Sequence, residues 1–428
     1  MTSARSDSAA QRRQRVLRQA ERLAPDLLRF TKDLVRAKSV TGEEEPAQLL
    51  VREKLRSLGA KVDFWKPKRG DFRGYEAFVS EESNVGKRPN VVGRFRGRGD
   101  AARTLAFNGH IDVVPEGDPS SWKHPPYAAR VVDGKLYGRG ACDMKGGLAG
   151  TIFAVEALLG AGVTLQNEII VESVIGEESG GMGTLAAIQR GYVPDAAVIA
   201  EPTGLALNVV QAGCLMFRLG VRGKAAHGAA RYMGVSAVEK FVPVMAALQK
   251  LENRRKSMKR LSAFRGVRNP VTLSIGTVRA GVWDSTVPEE LTAEGRYGVW
   301  PHESLDNAKR AFEAAVQEAT AADPWLRANP PSVSWFGPQW ESAEIGRRHW
   351  LTRLMSRAVE DSLGFAPNVS GITGGTDMRL FTGIAGKPAI IFGPGDDSTA
   401  HFRDECIEVK DVVRACKAYS LAALAWNG

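Results

Sequence analysis

The sequence predicts an α/β protein: a mainly parallel-sheet domain interrupted by a ferredoxin-like α+β domain. Strand-length apolar runs alternate with helical stretches through the first half of the chain and again at its end, the pattern of a helix-covered parallel sheet. Between these parts the order changes to one close to β-α-β-β-α-β, the split ferredoxin-like plan. At 428 residues the chain is too long for one ordinary core, so two domains are expected. The predicted divisions are 1–208 for the first part of the main domain, 209–327 for the inserted domain and 328–428 for the remainder.

In chain order, Val16, Leu17, Ala20, Leu23 and Leu27 fall near one helical face, and Pro25 divides that pattern into two shorter pieces or kinks it. The Arg-rich stretch from Arg5 to Arg18 mimics a transit peptide, but Glu21 and Asp26 favour a first helical element with a frayed lead-in. Thr41 followed by Glu44 is a capping-box signature. The helix it opens carries Ala47, Leu50, Val51, Leu55 and Leu58 on one face and stops at Gly59. Strands follow at Lys61 to Phe64 and Asn90 to Phe95, with an exposed loop between them. Leu105 to Asn108 reads as a buried strand, and a long loop passes Trp122, Pro125 and Pro126. A helix from Met144 to Leu159 comes next, then strands Glu168 to Ile175 and Asp195 to Ala200 around a helical stretch near Thr184 to Arg190.

Beyond Asn208, Cys214 to Arg222 alternates as a half-buried strand. A helix, Val235 to Leu251, precedes strands Val271 to Val278 and Leu291 to Val299. A second helix spans Ser304 to Thr320, with a last strand near Ser332 to Phe336. From Arg347 the first style resumes: a helix to Leu363, an apolar strand Pro388 to Phe392 and a closing helix from Val409.

Composition excludes several classes. The 43% hydrophobic and 25% charged content is that of a globular protein. No apolar run approaches the ~20 residues that span a bilayer, so no membrane partner is expected. The N-terminal stretch has no apolar signal core, which predicts a cytoplasmic location. Cys142, Cys214, Cys406 and Cys416 show no C-x-x-C spacing, arguing against a disulfide scaffold or a cysteine-zinc site. A net charge of +10 invites a nucleic-acid reading, but the basic residues are scattered, with one cluster from Arg254 to Arg260 and no interleaved aromatics. A solvated surface or an anionic small substrate uses that charge better.

Metal-binding residue types recur where strands end. His110 and Asp112 close the Leu105 strand, two residues apart, so on an extended backbone both point to one side. A carboxylate there can accept one imidazole N–H and leave the other nitrogen for a metal. Asp143 stands at a helix entry, Glu177 and Glu178 follow a strand in IGEESGG, Glu201 follows another in AEPT, and His401 lies in GPGDDSTAHFRDE. The carboxyl ends of strands are where open α/β sheets bind ligands. Two histidines and three carboxylates exceed one zinc's needs but suit two metals sharing one carboxylate. Adjacent glutamates on an extended segment face opposite ways, so one can ligate while the other acts as base. Singly, each has an ordinary reading: solvated glutamates, a Glu-Pro turn, an aspartate N-cap. Their joint placement at successive strand ends points to a metal centre.

Together these motifs resemble the di-zinc aminoacylase and carboxypeptidase family, which includes acetylornithine deacetylase, succinyl-diaminopimelate desuccinylase, aminoacylase and glutamate carboxypeptidase. The resemblance runs from about Leu34 to the C-terminus. It implies that His110, Asp143 and Glu201 bind one metal and Asp143, Glu178 and His401 the other, with Asp143 the bridge and a cis peptide to Met144. It also implies that Asp112 orients His110, that Glu177 is the general acid/base, and that the inserted domain is a lid and dimerisation domain. In VRGKAAHGAARYMGVSAVEK, His227 would reach the active site of a partner subunit in a homodimer and polarise the scissile carbonyl.

This chain departs from the family pattern at Arg231, where proline is usual, and in Asp284-Ser-Thr-Val-Pro288, which lacks an asparagine. Arg296 and Arg379 become the candidates for anion binding, since arginine presents a planar fork to a carboxylate. Asp377 with Gly374 and Gly375 resembles the family's Gly-Gly-Thr-Asp turn beside the site. The expected function is metal-dependent cleavage of an amide C–N bond in a small, possibly anionic substrate, with deacylation of an N-acyl amino acid or acylated amine favoured. Hydrolytic deamination of an amino-aromatic compound and dipeptide cleavage are the alternatives on the same site. A metal-free ligand-binding or scaffold relative is the alternative from another class. Zinc is the metal the resemblance implies, and carboxylate-rich sites also accept manganese or cobalt.

Overall fold

The computed structural model describes residues 8–72, 74–75, 85–99, 103–258, 261–265, 267 and 269–428. The expected frayed lead-in before residue 8, residues 76–84 of the expected exposed loop, and Lys259 and Arg260 of the basic cluster lie outside the described residues. The chain forms two compact units. One comprises Met1–Val209, Glu344–Ser370 and Thr376–Gly428, the other Val210–Ala343 and Gly371–Gly375.

The first unit is built on a sheet whose order includes Lys61–Trp65, Asn90–Phe95, Glu168–Val174, Thr104–His110, Ala196–Ile199 and Ala389–Ile391. The last four run parallel; Asn90–Phe95 pairs antiparallel with Glu168–Val174, and Lys61–Trp65 antiparallel with Asn90–Phe95. Glu168–Val174 is buried at every residue. Both of its faces are covered, so apolar residues fill successive positions, Ile169, Ile170 and Val171, rather than alternating. The closing helix Val409–Trp426 sets Tyr419 against Phe107 and Phe392, with ring centroids 5.6 and 5.5 Å away.

The N-terminal pattern resolves into two helices, Ala9–Arg22 and Ala24–Arg36, that meet at Leu23. Pro25 falls in the first turn of the second, where its missing N–H costs nothing. The helix Glu45–Ser57 begins without the expected side-chain cap. Thr41 Oγ1 instead donates to Asp112 Oδ2 at 3.2 Å, and Glu44 is buried against the Arg88 guanidinium, so tertiary partners have taken both capping residues. A helix expected from Met144 starts at Gly146, because an irregular turn over Ala141–Lys145 precedes it. The Asp143–Met144 peptide in that turn is cis.

The second unit follows the split β-α-β-β-α-β plan. Its antiparallel sheet runs Leu273–Ala280, Glu290–Val299, Gly213–Arg222, Ser332–Trp340, backed by the helices Ala237–Lys256 and Leu305–Ala322. Phe217, Leu219, Phe241, Leu248, Tyr297 and Phe312 form its core. The unit runs past the expected end at residue 327 because Ser332–Trp340 hydrogen-bonds to Gly213–Arg222 and belongs to that sheet. A small sheet of Arg130–Val132, Lys135–Tyr137 and Cys406–Glu408 has no counterpart in the sequence-based expectation. Among the described residues, no helix is long and apolar enough to cross a membrane.

Candidate metal centre

Four neighbouring parallel strands deliver the site, and their shared direction puts their carboxyl ends on one edge of the sheet. His110 ends Thr104–His110, Glu177 and Glu178 follow Glu168–Val174, Glu201 follows Ala196–Ile199, and His401 comes after Ala389–Ile391. Asp143 arrives from the turn before the helix Gly146–Gly160. That helix starts hard against the Glu201 strand end. A Cβ on Gly147 would lie 2.0 Å from the Ala200 carbonyl oxygen, so only glycine allows the approach.

Asp143 lies between two imidazoles. Its Oδ1 is 3.0 Å from His110 Nε2 and its Oδ2 is 3.2 Å from His401 Nε2. Glu201 Oε2 is 3.7 Å from His110 Nε2, and Glu178 Oε1 is 3.1 Å from His401 Nε2. The structure thus brings His110, Asp143, Glu178, Glu201 and His401 together, with one aspartate facing both histidines. Two groups, His110 with Glu177 and Glu201, and His110 with Asp143 and Glu178, each offer ligand atoms within 4.8 Å of one another.

Two local expectations need correction. Residues 177–180 form a turn rather than an extended segment, closed by Gly180 N–H donating to Glu177 O at 2.9 Å. Glu177 and Glu178 therefore both aim into the cluster instead of facing opposite ways. The carboxylate of Asp112 is 3.7 Å from His110 Nδ1, whereas its backbone carbonyl is at 2.9 Å. Asp112 meets His110 through its main-chain carbonyl, not its carboxylate. Its carboxylate accepts instead from the N–H groups of Glu177 and Glu178, at 3.2 and 3.3 Å, and so anchors the turn.

Burial sets the electrostatics. It pushes Glu177 well above the usual carboxylate range, with Glu201 adding to the effect. Burial raises Glu201 to about 8, and raises Glu178 with help from Asp143. Asp143 moves the other way: burial opposes its ionisation, but hydrogen bonds from His110 and His401 hold it below the ordinary range. Hydrogen bonds to Asp143 and Glu178 lift His401 to about 10. Asp143, Glu177, Glu178 and Glu201 crowd more potential negative charge than two imidazoles balance. Divalent cations would relieve that imbalance, and a set of imidazole nitrogens and carboxylate oxygens suits zinc, manganese or cobalt. The residues present fit a metal pair.

The expected substrate contacts fare differently. Asp377 and Arg379 are buried; Asp377 accepts from Thr184 Oγ1 at 2.6 Å, and Arg379 donates to Gly180 O at 2.8 Å. Arg379 thereby braces the Glu177–Glu178 turn, and both side chains are as buried as His110 and Glu201. Gly181 completes the brace at φ +77°, where a Cβ would lie 2.5 Å from Asp377 Oδ1. Gly375 belongs to the second unit and packs under Trp340, which a Cβ would meet at 2.5 Å. Arg296, also in that unit, is half-buried and donates to Thr272 Oγ1 and Thr373 O at 3.1 and 2.7 Å. His227 is exposed, and its Nδ1 accepts from Ala229 N–H at 3.1 Å. Sequence reasoning gave no site role to Thr41, Arg139 or Glu405. Charged residues inside the glycine-rich GRGACD run and just after His401 were the available signal.

A parallel α/β sheet with histidines and carboxylates gathered at its strand ends, in a chain with a second, smaller sheet unit, fits a metal-dependent hydrolase. Residues 106–425 match peptidase family M20/M25/M40, and the chain belongs to that family. It is 28% identical over 398 residues to N-formyl-4-amino-5-aminomethyl-2-methylpyrimidine deformylase of Halalkalibacterium halodurans, covering 89% of this chain and 88% of that protein. It is 30% identical over 416 residues to succinyl-diaminopimelate desuccinylase of Methylobacterium radiotolerans, covering 94% and 97%. The M20 family metallo-carboxypeptidase Sso-CP2 from Sulfolobus solfataricus shares the fold, with a TM-score of 0.75 at 16% identity over 94% of this chain and 99% of that one.

Proposed function

We infer that the protein is a di-metal amidohydrolase that removes an acyl group from the nitrogen of a small acylated amine or amino acid. The observation that carries this reading is Asp143 set between His110 and His401, one carboxylate oxygen toward each. His110, Asp143 and Glu201 would hold one cation, and Asp143, Glu178 and His401 the other. Bound there, two divalent cations, zinc or else manganese or cobalt, would supply Lewis acidity that activates a water and polarises the amide carbonyl.

The chain's own groups do the rest. Glu177 takes the proton of the attacking water on its carboxylate and passes it to the leaving nitrogen. Asp112 keeps Glu177 and Glu178 aimed by holding their backbone N–H groups. His227, with Nδ1 accepting a hydrogen bond, carries its proton on Nε2 and can donate it to an oxyanion. It would do so across a homodimer formed through the second unit, which would then serve as a lid. Arg296 remains the candidate clamp for an anionic substrate group.

The deformylase and the desuccinylase are both named for removing an acyl group, an N-formyl in the first and a succinyl in the second, which favours deacylation over dipeptide cleavage. The deformylase's named substrate is a formylated aminopyrimidine, so an amine carried on an aromatic ring as the leaving group follows more directly than ring deamination. Assaying N-formyl, N-acetyl and N-succinyl amines and amino acids alongside dipeptides and amino-aromatics, with each of the three metals, tests the reading. Glu177→Gln should lower turnover by about 10²–10⁴-fold while leaving the metal content unchanged. A purified protein that neither holds metal nor gains activity when metal is added would instead be a scaffold or ligand-binding relative.

A further inference from the structure

Glu405 follows His401 by four residues and is 1% exposed. Its carboxylate is fully engaged. Oε2 accepts from Gly140 N–H at 2.9 Å and from Arg139 Nη1 at 2.8 Å. Oε1 accepts from Cys142 N–H at 2.9 Å and Asp143 N–H at 3.0 Å. A carboxylate has about four acceptor positions, and these donors take all of them, so no oxygen is left for a cation. Arg139, 2% exposed, extends the link. Its Nη1 and Nη2 also reach the carbonyl oxygens of Phe402 and His401, each at 3.3 Å.

The backbone leads into the same place. Cys406 pairs with Tyr137 in the small antiparallel sheet, and Gly138 N–H donates to Glu405 O at 2.9 Å. The ladder therefore delivers Arg139 and Glu405 side by side, one just ahead of Asp143 and the other just beyond His401. His401 and Asp404 are non-glycine residues at φ +62° and +60°, a conformation that persists only when its surroundings impose it. Arg139 on the His401 carbonyl, and Lys123 N–H on Asp404 Oδ1 at 2.7 Å, supply that constraint.

We propose that Glu405 and Arg139 are the positioning pair of the metal centre, locking the backbone that carries Asp143 to the backbone that carries His401. Asp143 Oδ2 and His401 Nε2 stand 3.2 Å apart across that lock. This rests on the di-metal reading above. Neither residue touches a reacting atom; both act through the two ligands they fix.

Glu405→Gln replaces one acceptor oxygen with a donor facing an N–H or a guanidinium. Metal affinity, measured by competition with a chromophoric chelator, should fall by about 10–100-fold for at least one of the two ions. The visible absorption of the cobalt-loaded protein should change with it. Arg139→Lys keeps the charge but cannot span Glu405 and both carbonyls, and should weaken the same ion to a lesser degree. Arg255→Gln, which breaks the buried pair with Glu303 in the second unit, should lower the melting temperature without changing either affinity. Wild type binding two ions and Glu405→Gln binding both as tightly would overturn the proposal alone. So would an equal loss in Arg255→Gln, which would make the effect one of general stability. Should Glu405→Gln fail to fold, wild-type affinity in Arg139→Lys overturns it. Wild type that binds no metal would overturn the di-metal reading and this proposal with it.

Discussion

Glu201, raised by burial, and His401, raised by its hydrogen bonds, share a consequence for stability. Both hold their protons more tightly in the folded chain than free in water, Glu201 at about 8 against 4.5 and His401 at about 10 against 6.5. A group whose proton affinity is raised by folding stabilises most fully below its unfolded value and loses that contribution as pH climbs through the folded one. The metal-free protein should therefore melt at falling temperatures as pH rises from 4.5 to about 10. Saturating divalent metal should flatten that fall, because the cations replace the protons. Calorimetry with and without chelator checks it; a metal-free melting temperature that rises over this window would contradict the charge balance described. Asp112 gives a second expectation. Its carboxylate anchors the turn bearing Glu177 and Glu178, so Asp112→Ala should cut kcat by about 10–100-fold. Far-UV circular dichroism would show the fold retained.

The critical element is the turn after Glu168–Val174. It is held by the Asp112 carboxylate on the N–H groups of Glu177 and Glu178 and by Arg379 on the Gly180 carbonyl, with the Thr184–Asp377 pair beside Gly181. Gly181→Ala would place a methyl group against the Asp377 carboxylate at a positive φ, and should cost about 1–3 kcal/mol in denaturant unfolding. Thr184→Val removes the only hydroxyl in a chain of buried contacts from Asn108 to Asp377, and leaves unmatched polar atoms worth about 1–3 kcal/mol. In both variants activity should fall alongside stability, since the turn aims the proposed base. Strand ends were readable in the sequence because an apolar run that stops at a glycine and a charge marks its own boundary, as at Ile175-Gly-Glu-Glu. What Thr41 and Glu44 do was not readable. A capping box is a local pattern, and the partners that took these two residues, Asp112 and Arg88, are distant in sequence.

For the whole molecule, the proposed homodimer has a testable surface. Val238, Val242 and Met245 recur along one side of the helix Ala237–Lys256 and are exposed in the single chain, while the other side packs into the core of the second unit. Light scattering should give twice the chain mass at micromolar concentration, and Val242→Glu should shift it toward the single-chain value. If that helix forms the interface, the same variant should lose turnover without losing metal, because His227 would no longer meet the site it serves.

The order of elements, the split plan of the second unit and the residues at the strand ends followed from the sequence, because periodicity and the chemistry of histidine beside carboxylate are local properties. Burial is not local. Only the tertiary structure made Arg379 a brace on the Gly180 carbonyl, moved the Asp112 carboxylate from His110 to the following turn, and brought Glu405 onto the backbone of Asp143. Each of these depends on which distant backbone N–H or carbonyl comes within hydrogen-bonding distance of a buried charge, and packing decides that where residue type does not.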